Sequence, residues 1–352
     1  MIDFKSLRID ALLVSSLPNV RYLTGYTGSN GMALLTPDSL TLFTDPRYDI
    51  RAREEVKQAK LPTQVRIATK PLWEAAAQHI QRKRLKRTGF EGSQVSYAVY
   101  KTLDEGLPLG YSLKPVGSVI EELRMVKTED EIERIRGAVL TNSKAFEVVA
   151  QRIKPGISEA SVAADLDFRM RKLGAEGSAF PTIVAGGIRT ALVHASPTRQ
   201  TLKPNDLILI DMGSAQDGYM SDMTRMLFLG KPDAKIQEMY GFVLEAQLAA
   251  LAAVREGVGT WQVDRAARQV LKTAGLGKQF VHSTGHGLGL EIHEAPRIGR
   301  KDRTRLQTGM VITIEPGAYV EGLGGIRIED TVLVTKNGCE VLTPTSKELM
   351  VL

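Results

Sequence analysis

The sequence predicts an α/β (α+β) protein in two parts: a smaller mixed α/β part over 1–120, and a larger part over 121–352 built from two related halves. Three observations predict it. A chain of 352 residues, 43% hydrophobic and 24% charged, has the length and composition of two ordinary globular domains. Between Val119 and Lys127 its character changes from short apolar runs broken by turns to long stretches with helical spacing. Residues 154–174 then align without gaps to 255–275, an internal near-repeat at an offset of 101.

In chain order, Ala11–Val14, Ala33–Leu35 and Leu40–Phe43 read as strands, and Pro37-Asp38 separates the last two as a hairpin turn would. Helical stretches follow near 46–59 and 71–87. The second of these closes on Arg82-Lys83-Arg84-Leu85-Lys86-Arg87, cations that complement the dipole of a helix end, with Thr88-Gly89 as the stop. From Glu129 onward Ile132, Ile135, Val139, Phe146, Val149 and Ile153 keep helical spacing behind an acidic first turn. Each copy of the repeat supplies a long apolar helix, a Gly turn (Gly156, Gly257), an amphipathic helix and a closing Gly (Gly174, Gly275), then strand-rich sequence. Two copies are too few for a solenoid. Two α/β halves related by pseudo-symmetry would instead place a site where their sheets meet.

The net charge of +6 raises the question of a polyanionic partner. Residues 1–120 hold 17 Lys+Arg against 11 Asp+Glu, and the remainder holds 29 of each, so the excess belongs to the first part. The run at 82–87 has no aromatic residues between its cations, as a single-strand binder would, and reads as a solvated helix end. No nucleic-acid partner is expected. No segment approaches the roughly 18–20 apolar residues of a membrane span, and the start lacks the apolar core of a signal peptide, so a cytoplasmic protein is expected. The single Cys339 excludes a disulfide framework and a cysteine-rich zinc site, leaving any metal site to oxygen and imidazole.

Carboxylates stand in unusual places in the second part. Leu207–Ile210 is a buried-strand run ending in Asp211, and Asp222 opens the strand 223–229. A hairpin centred between Gln216 and Asp217 sets Asp211 directly opposite Asp222. Facing buried carboxylates repel, and a divalent metal neutralises them. The pattern recurs where Val311–Ile314 runs into Glu315-Pro316-Gly317, and Ile326–Asp330 carries Glu329 after the Gly-rich bend 322–325. Between the two hairpins, Gly285-His286-Gly287-Leu288-Gly289 presents an imidazole on a flexible loop. Asp211, Asp222, His286, Glu315 and Glu329 together are too anionic for one ion but balanced for two divalent cations. Mn(II) comes first for such oxygen-rich ligands, with Co(II) or Zn(II) as alternatives. A pair of this kind activates water and polarises a carbonyl.

In order and spacing these stretches resemble the pita-bread metallopeptidases, specifically their Xaa-Pro aminopeptidase and prolidase branch. The matching segments are Ile210-Asp211-Met212-Gly213, Ser221-Asp222-Met223-Thr224-Arg225, His282 through Gly289, Glu291 through Pro296, Ile314 through Gly317, and Gly325 through Asp330. Together they cover about 120–340. Asn19 through Gly25 and Leu42 through Tyr48 resemble the creatinase-like amino-terminal domain of the same branch.

The resemblance implies that Asp211, Asp222, His286, Glu315 and Glu329 are the metal ligands, with Asp222 and Glu329 bridging. It implies that His194, three residues before Pro197, approaches the substrate from the first half. His282 and His293 match substrate-contacting histidines, and Arg327 an arginine that braces the site. Where the family has Ser-Gly-x-Asn and then Pro-His, this chain has Gly186-Gly187-Ile188-Arg189 and Val193-His194, which bears on subsite preference. The reaction implied is removal of a first residue that precedes proline, whose imide lacks an N–H and whose ring fixes φ. In it His293 stabilises the oxyanion and Glu315 shuttles a proton to the prolyl nitrogen. The first reading is an Xaa-Pro aminopeptidase acting on peptides of several residues, and the alternative is a dipeptidase restricted to Xaa-Pro. Arg297, four residues after His293, is placed either to bind a dipeptide's carboxylate or to sit on the rim. A peptide-binding protein without activity and a creatinase-like amidinohydrolase are disfavoured because all five ligands are present. Family resemblance also implies a homodimer.

Overall fold

The computed structural model describes residues 2–59 and 61–352. The chain divides into two units, Met1–Arg124 and Met125–Leu352. In the first, one mixed sheet is formed by β1 (Ala11–Val14), β2 (Met32–Leu35), β3 (Leu40–Thr44), β4 (Thr63–Ile67), β5 (Arg87–Glu91) and β6 (Ser112–Val116), in the order β4-β3-β2-β1-β5-β6. All four residues of β1 are apolar and inaccessible, which suits a strand covered on both faces. Period-two alternation divides the core: Leu12, Val14, Ala33, Leu35 and Leu42 pack on one face, Ala11, Leu13, Met32, Leu34 and Phe43 on the other. The first unit's helices are α1 (Phe4–Leu7), α2 (Leu17–Thr24), α3 (Asp49–Glu55), α4 (Leu72–Lys83) and α5 (Tyr97–Glu105). Helices α3 and α5 carry the crossovers of the parallel pairs β3–β4 and β5–β6, and α4 leads from β4 to β5, which lies parallel to β1.

Helix α4 ends earlier than its basic tail implies. It stops at Lys83, where Arg84 takes the left-handed conformation (φ 57°) and its N–H bonds back to Gln81 and Ile80. Thr88-Gly89 is not the stop. Both residues lie in β5, and a Cβ at Gly89 would come within 2.9 Å of Ile9 Cδ1. The need of β5 to lie beside β1 cuts the basic run in two, and its last member, Arg87, pairs with Asp10 at 2.6 Å.

Helix α6 (Val119–Met125) leads into the second unit. There α7 (Glu129–Ala150) opens on a capping box, with Thr128 and Glu131 exchanging side-chain and backbone hydrogen bonds. It packs with α8 (Glu159–Lys172), and α9 (Ala234–Ala253) packs with α10 (Thr260–Thr273). The repeat is thus two helix pairs joined by equivalent turns. Gly156 N–H bonds Leu202 O and Gly257 N–H bonds Leu306 O, while Leu202 and Leu306 N–H return to Ile157 and Val258, all at 2.8 Å.

The strands of this unit are β7 (Gly177–Ser178), β8 (Ile183–Gly186), β9 (Leu207–Met212), β10 (Ser214–Gln216), β11 (Tyr219–Met220), β12 (Met223–Phe228), β13 (Gly285–Gly287), β14 (Glu294–Ile298), β15 (Val311–Ile314), β16 (Gly317–Val320), β17 (Gly324–Arg327), β18 (Asp330–Val334), β19 (Cys339–Val341) and β20 (Met350–Val351). One sheet runs β20-β12-β9-β8 and another β14-β13-β15-β18-β19. Apolar residues of α7 and α8 cover the first, and those of α9 and α10 cover the second. Among the described residues, no helix is long and apolar enough to cross a membrane.

Candidate metal centre

Each half of the second unit carries one long hairpin whose ladder breaks once, and the acids stand at the breaks. In the first half β9 pairs with β12 (Ile210↔Arg225, Asp211↔Thr224, Met212↔Met223), and beyond the break β10 pairs with β11 in the same register. In the second half β15 pairs with β18 (Ile314↔Asp330), and beyond the break β16 continues against β17 (Gly317↔Arg327). One backbone bond spans each break, from Ser221 N to Ser214 O (2.9 Å) and from Ile328 N to Pro316 O (3.4 Å).

Asp211 and Asp222 are therefore not directly opposite, contrary to the expectation from sequence. Asp211 faces Thr224, because the turn residues are Asp217 (φ 50°) and Gly218 (φ 77°), a two-residue hairpin turn of the Asp-Gly kind, one position later than assumed. Asp222 and Thr224 are two apart, so both carboxylates still emerge on one face. The second hairpin's register, continued one residue past the ends of β15 and β18, does set Glu315 against Glu329.

His286 comes from β13, pressed between two other backbones. A Cβ at Gly285 would lie 1.9 Å from Thr313 O, and one at Gly287 would lie 2.3 Å from Ala295 O, so only glycine fits beside this histidine. Its Nδ1 is 3.0 Å from Gly287 O, which can only accept, so Nδ1 holds the proton. Nε2 is left bare towards Glu315 Oε1 (3.4 Å) and Asp222 Oδ2 (3.6 Å).

The cluster is buried and anionic. Asp222 is 5% exposed and Glu329 1%, and ligand atoms of Asp222, His286 and Glu329 all lie within 4.8 Å of one another. Asp211 Oδ1, Asp222 Oδ1 and Glu329 Oε1 are buried without a hydrogen-bond partner. Burial, then repulsion from Asp211 and Glu315, drives the Asp222 carboxyl well above its usual range. Burial, then Asp222, does the same to Glu329. Asp211 is raised by burial, against the pull of Arg327. Orphaned carboxylate oxygens that resist ionisation on their own, beside one imidazole nitrogen, fit a site for divalent cations.

Two hydroxyls that the sequence reading did not single out, those of Thr224 and Tyr319, join Arg327 and His282 around these ligands. Thr224 Oγ1 donates to Glu329 Oε2 (2.7 Å) and accepts from Arg327 Nε (3.0 Å). Arg327, 3% exposed, also binds Asp211 Oδ2 (2.6 Å) and donates to the Tyr319 hydroxyl (2.7 Å). That hydroxyl donates in turn to His282 Nε2 (2.9 Å), whose Nδ1–H meets Ser283 O (2.8 Å). Burial lowers the pKa of His282. The signal for Tyr319 was a hydroxyl-bearing aromatic two residues into the Gly-rich hairpin after Glu315. Thr224 lay within the segment Ser221–Arg225 without a role assigned to it.

One cavity of about 660 Å³ is lined by all ten side chains proposed from the sequence: Asp211, Asp222, His286, Glu315, Glu329, His194, His282, His293, Arg297 and Arg327. The His293 ring meets the His286 ring edge-on, centroids 4.5 Å apart. Its pKa is lowered by burial and then by His286. Arg297 Nε donates to Ser283 Oγ (3.1 Å), which fixes the guanidinium on the wall.

Comparison with known proteins agrees with this geometry. The profile of metallopeptidase family M24 matches residues 133–336, and that of the creatinase/prolidase N-terminal domain matches 3–126. The chain is 39% identical over 343 residues to an Xaa-Pro dipeptidase of Pyrococcus furiosus, covering 97% of this chain and 95% of that protein. A solved Xaa-Pro dipeptidase from Bacillus anthracis superposes with a TM-score of 0.95 at 35% identity, covering 99% of this chain and 97% of the other. An X-Pro aminopeptidase from Thermotoga maritima gives 0.90 at 34% identity, covering 99% and 100%.

Proposed function

The chain belongs to metallopeptidase family M24, and on that premise we propose that it hydrolyses the bond between a first residue and a following proline, with the free Xaa-Pro dipeptide as its main substrate. This reverses the order drawn from sequence, which put the aminopeptidase first. The reversal is carried by likeness along almost the whole chain to proteins named Xaa-Pro dipeptidase. The Thermotoga maritima relative keeps the aminopeptidase as the second reading.

Family membership implies a dinuclear metal site. Asp211, Asp222, His286, Glu315 and Glu329 would hold it, Asp222 and Glu329 as the shared pair, and the oxygen-rich donors favour Mn(II) over Co(II) or Zn(II). When bound, such a pair activates water and polarises the scissile carbonyl. Glu315, steadied by Thr313 Oγ1 at 3.2 Å, carries the released proton to the leaving prolyl nitrogen. His293, its pKa lowered by burial and then by His286, donates a hydrogen bond to the carbonyl oxygen as charge grows there. His194 orients the peptide from the first half. Arg297 takes the dipeptide's free carboxylate in a charge-assisted pair. Arg327 and His282 act by position, keeping Asp211 and the cavity wall in place through the Tyr319 hydroxyl.

Residues 1–120 serve as the accessory creatinase-like domain and 121–352 as the catalytic one, in a cytoplasmic homodimer. Steady-state hydrolysis of Xaa-Pro against Xaa-Pro-Yaa tests the substrate assignment. Wild type is expected to favour the dipeptide, and Arg297→Met to raise KM for the dipeptide about tenfold or more while leaving the tripeptide's unchanged. Preference for the tripeptide, or equal effects of Arg297→Met on both, would establish the aminopeptidase instead.

A further inference from the structure

The first unit holds the surplus positive charge, and part of it borders a cavity. Strand β4 and helix α4 border a cavity of about 430 Å³ lined by Arg66, Lys70, His79 and Arg82, with Phe43, Ile67 and Ala75 as apolar wall. Among the described residues no carboxylate lines it. Arg66 Nη2 reaches Gln64 Oε1 at 3.3 Å, but Arg66 Nε is buried with no acceptor. Arg82 Nη2 lies 2.8 Å from His79 Nδ1. A guanidinium only donates, so Nδ1 accepts and the imidazole proton sits on Nε2. Phe43 holds the His79 ring edge-on, centroids 5.6 Å apart.

Every charge felt at His79 is positive. Burial and then Arg66, Arg82 and Lys83 push its pKa down to about 4. Burial and Arg82 likewise lower that of Arg66. A buried donor without an acceptor, among cations without a counter-ion, marks a place where an anion belongs.

We propose that this cavity binds a phosphoryl group, gripped by the guanidinium groups of Arg66 and Arg82 and the Nε2–H of His79, with Lys70 adding charge. Planar guanidinium forks match phosphate oxygens, and a neutral imidazole adds a directed donor. The apolar wall gives room for an organic residue on the phosphate, so the ligand is either free phosphate or a small phosphomonoester. The site is independent of the peptidase assignment.

The test follows thermal unfolding and the His79 ring proton by NMR, on the full-length protein at fixed ionic strength. Inorganic phosphate and, separately, a nucleoside monophosphate are titrated from phosphate-free buffer. His79 is the one histidine among the first 124 residues, which simplifies its identification. The expected result is a saturable rise in unfolding midpoint with an upward move of the His79 pKa, each requiring at least tenfold more ligand in Arg66→Gln and Arg82→Gln. Without phosphate, Arg66→Gln is expected to unfold no lower than wild type, because it removes an uncompensated cation. Tighter binding of the monophosphate identifies the phosphomonoester, and equal or weaker binding identifies free phosphate. An absent or unsaturable response of His79, or the same response in Arg66→Gln as in wild type, overturns the proposal.

Discussion

The two interrupted hairpins of the second unit share a backbone plan and differ in where their acids stand. In the first, Gly213 and Asp222 occupy the break, and Asp211 sits two residues back inside β9. In the second, Glu315 and Glu329 occupy the corresponding places, and Thr313 stands where Asp211 would. Asp222 and Glu329 are thus the equivalent pair. Asp211 and Glu315 are inequivalent, and their surroundings differ accordingly: Asp211 is bound by Arg327, whereas Glu315 stands between Thr313 and His286. A symmetric frame thus carries unequal side chains, and of the two inequivalent carboxylates only Asp211 is paired with an arginine. The turns differ as well. Asp217-Gly218 closes the first hairpin in two residues, while three residues, 321–323, close the second.

The comparison breaks most completely at its equivalent pair. Asp222→Asn and Glu329→Gln are each expected to lower kcat/KM for Xaa-Pro by about 10³-fold or more, since these residues act as a unit. Near-normal turnover in either would remove the shared-ligand role. Next in size is Arg327, the tie from the second hairpin to Asp211 of the first. Arg327→Met is expected to weaken metal affinity or turnover about 10- to 100-fold, as loss of a ligand's supporting partner does. An equilibrium metal titration that showed unchanged affinity, together with unchanged turnover, would reduce the arginine to packing.

The smallest effect is read in stability. Asp222 and Glu329 have raised pKa values in the folded chain without metal. The folded state then binds more protons than the unfolded one above the ordinary carboxylate range, so this contribution is present at low pH and lost as pH rises from that range towards the raised values. Chelated wild type should accordingly lose more unfolding midpoint between pH 5 and pH 8 than chelated Glu329→Gln, in which one such carboxyl is gone. Parallel pH profiles would show that the carboxyls are not coupled as described.

Much of this arrangement was legible in the sequence because it rests on local pattern. An apolar run such as Leu207–Ile210 that ends in a carboxylate has no ordinary core reading. The glycines around His286 were read as a flexible loop, whereas they lie in β13 and allow close backbone approach. Register was not legible in the same way. It hinged on which dipeptide turned, and Asp217-Gly218 was the stronger hairpin signal than the Gln216-Asp217 centre. The end of α4 was missed for a related reason: charge and glycine favoured a long helix, while pairing of β5 with β1 required a strand to begin at Arg87. The roles of Thr224 and Tyr319 were not legible because they depend on partners about 105 and 37 residues away along the chain.

Stoichiometric titration of the metal-free chain with Mn(II), while Xaa-Pro hydrolysis is followed, tests the central claim most directly. Four carboxylates on two unequal hairpins, with His286 from β13 as the proposed fifth ligand, predict no turnover in chelator and a rate that reaches its maximum at two ions per chain. Full activity in chelator, or saturation at a single ion, would contradict the two-metal account.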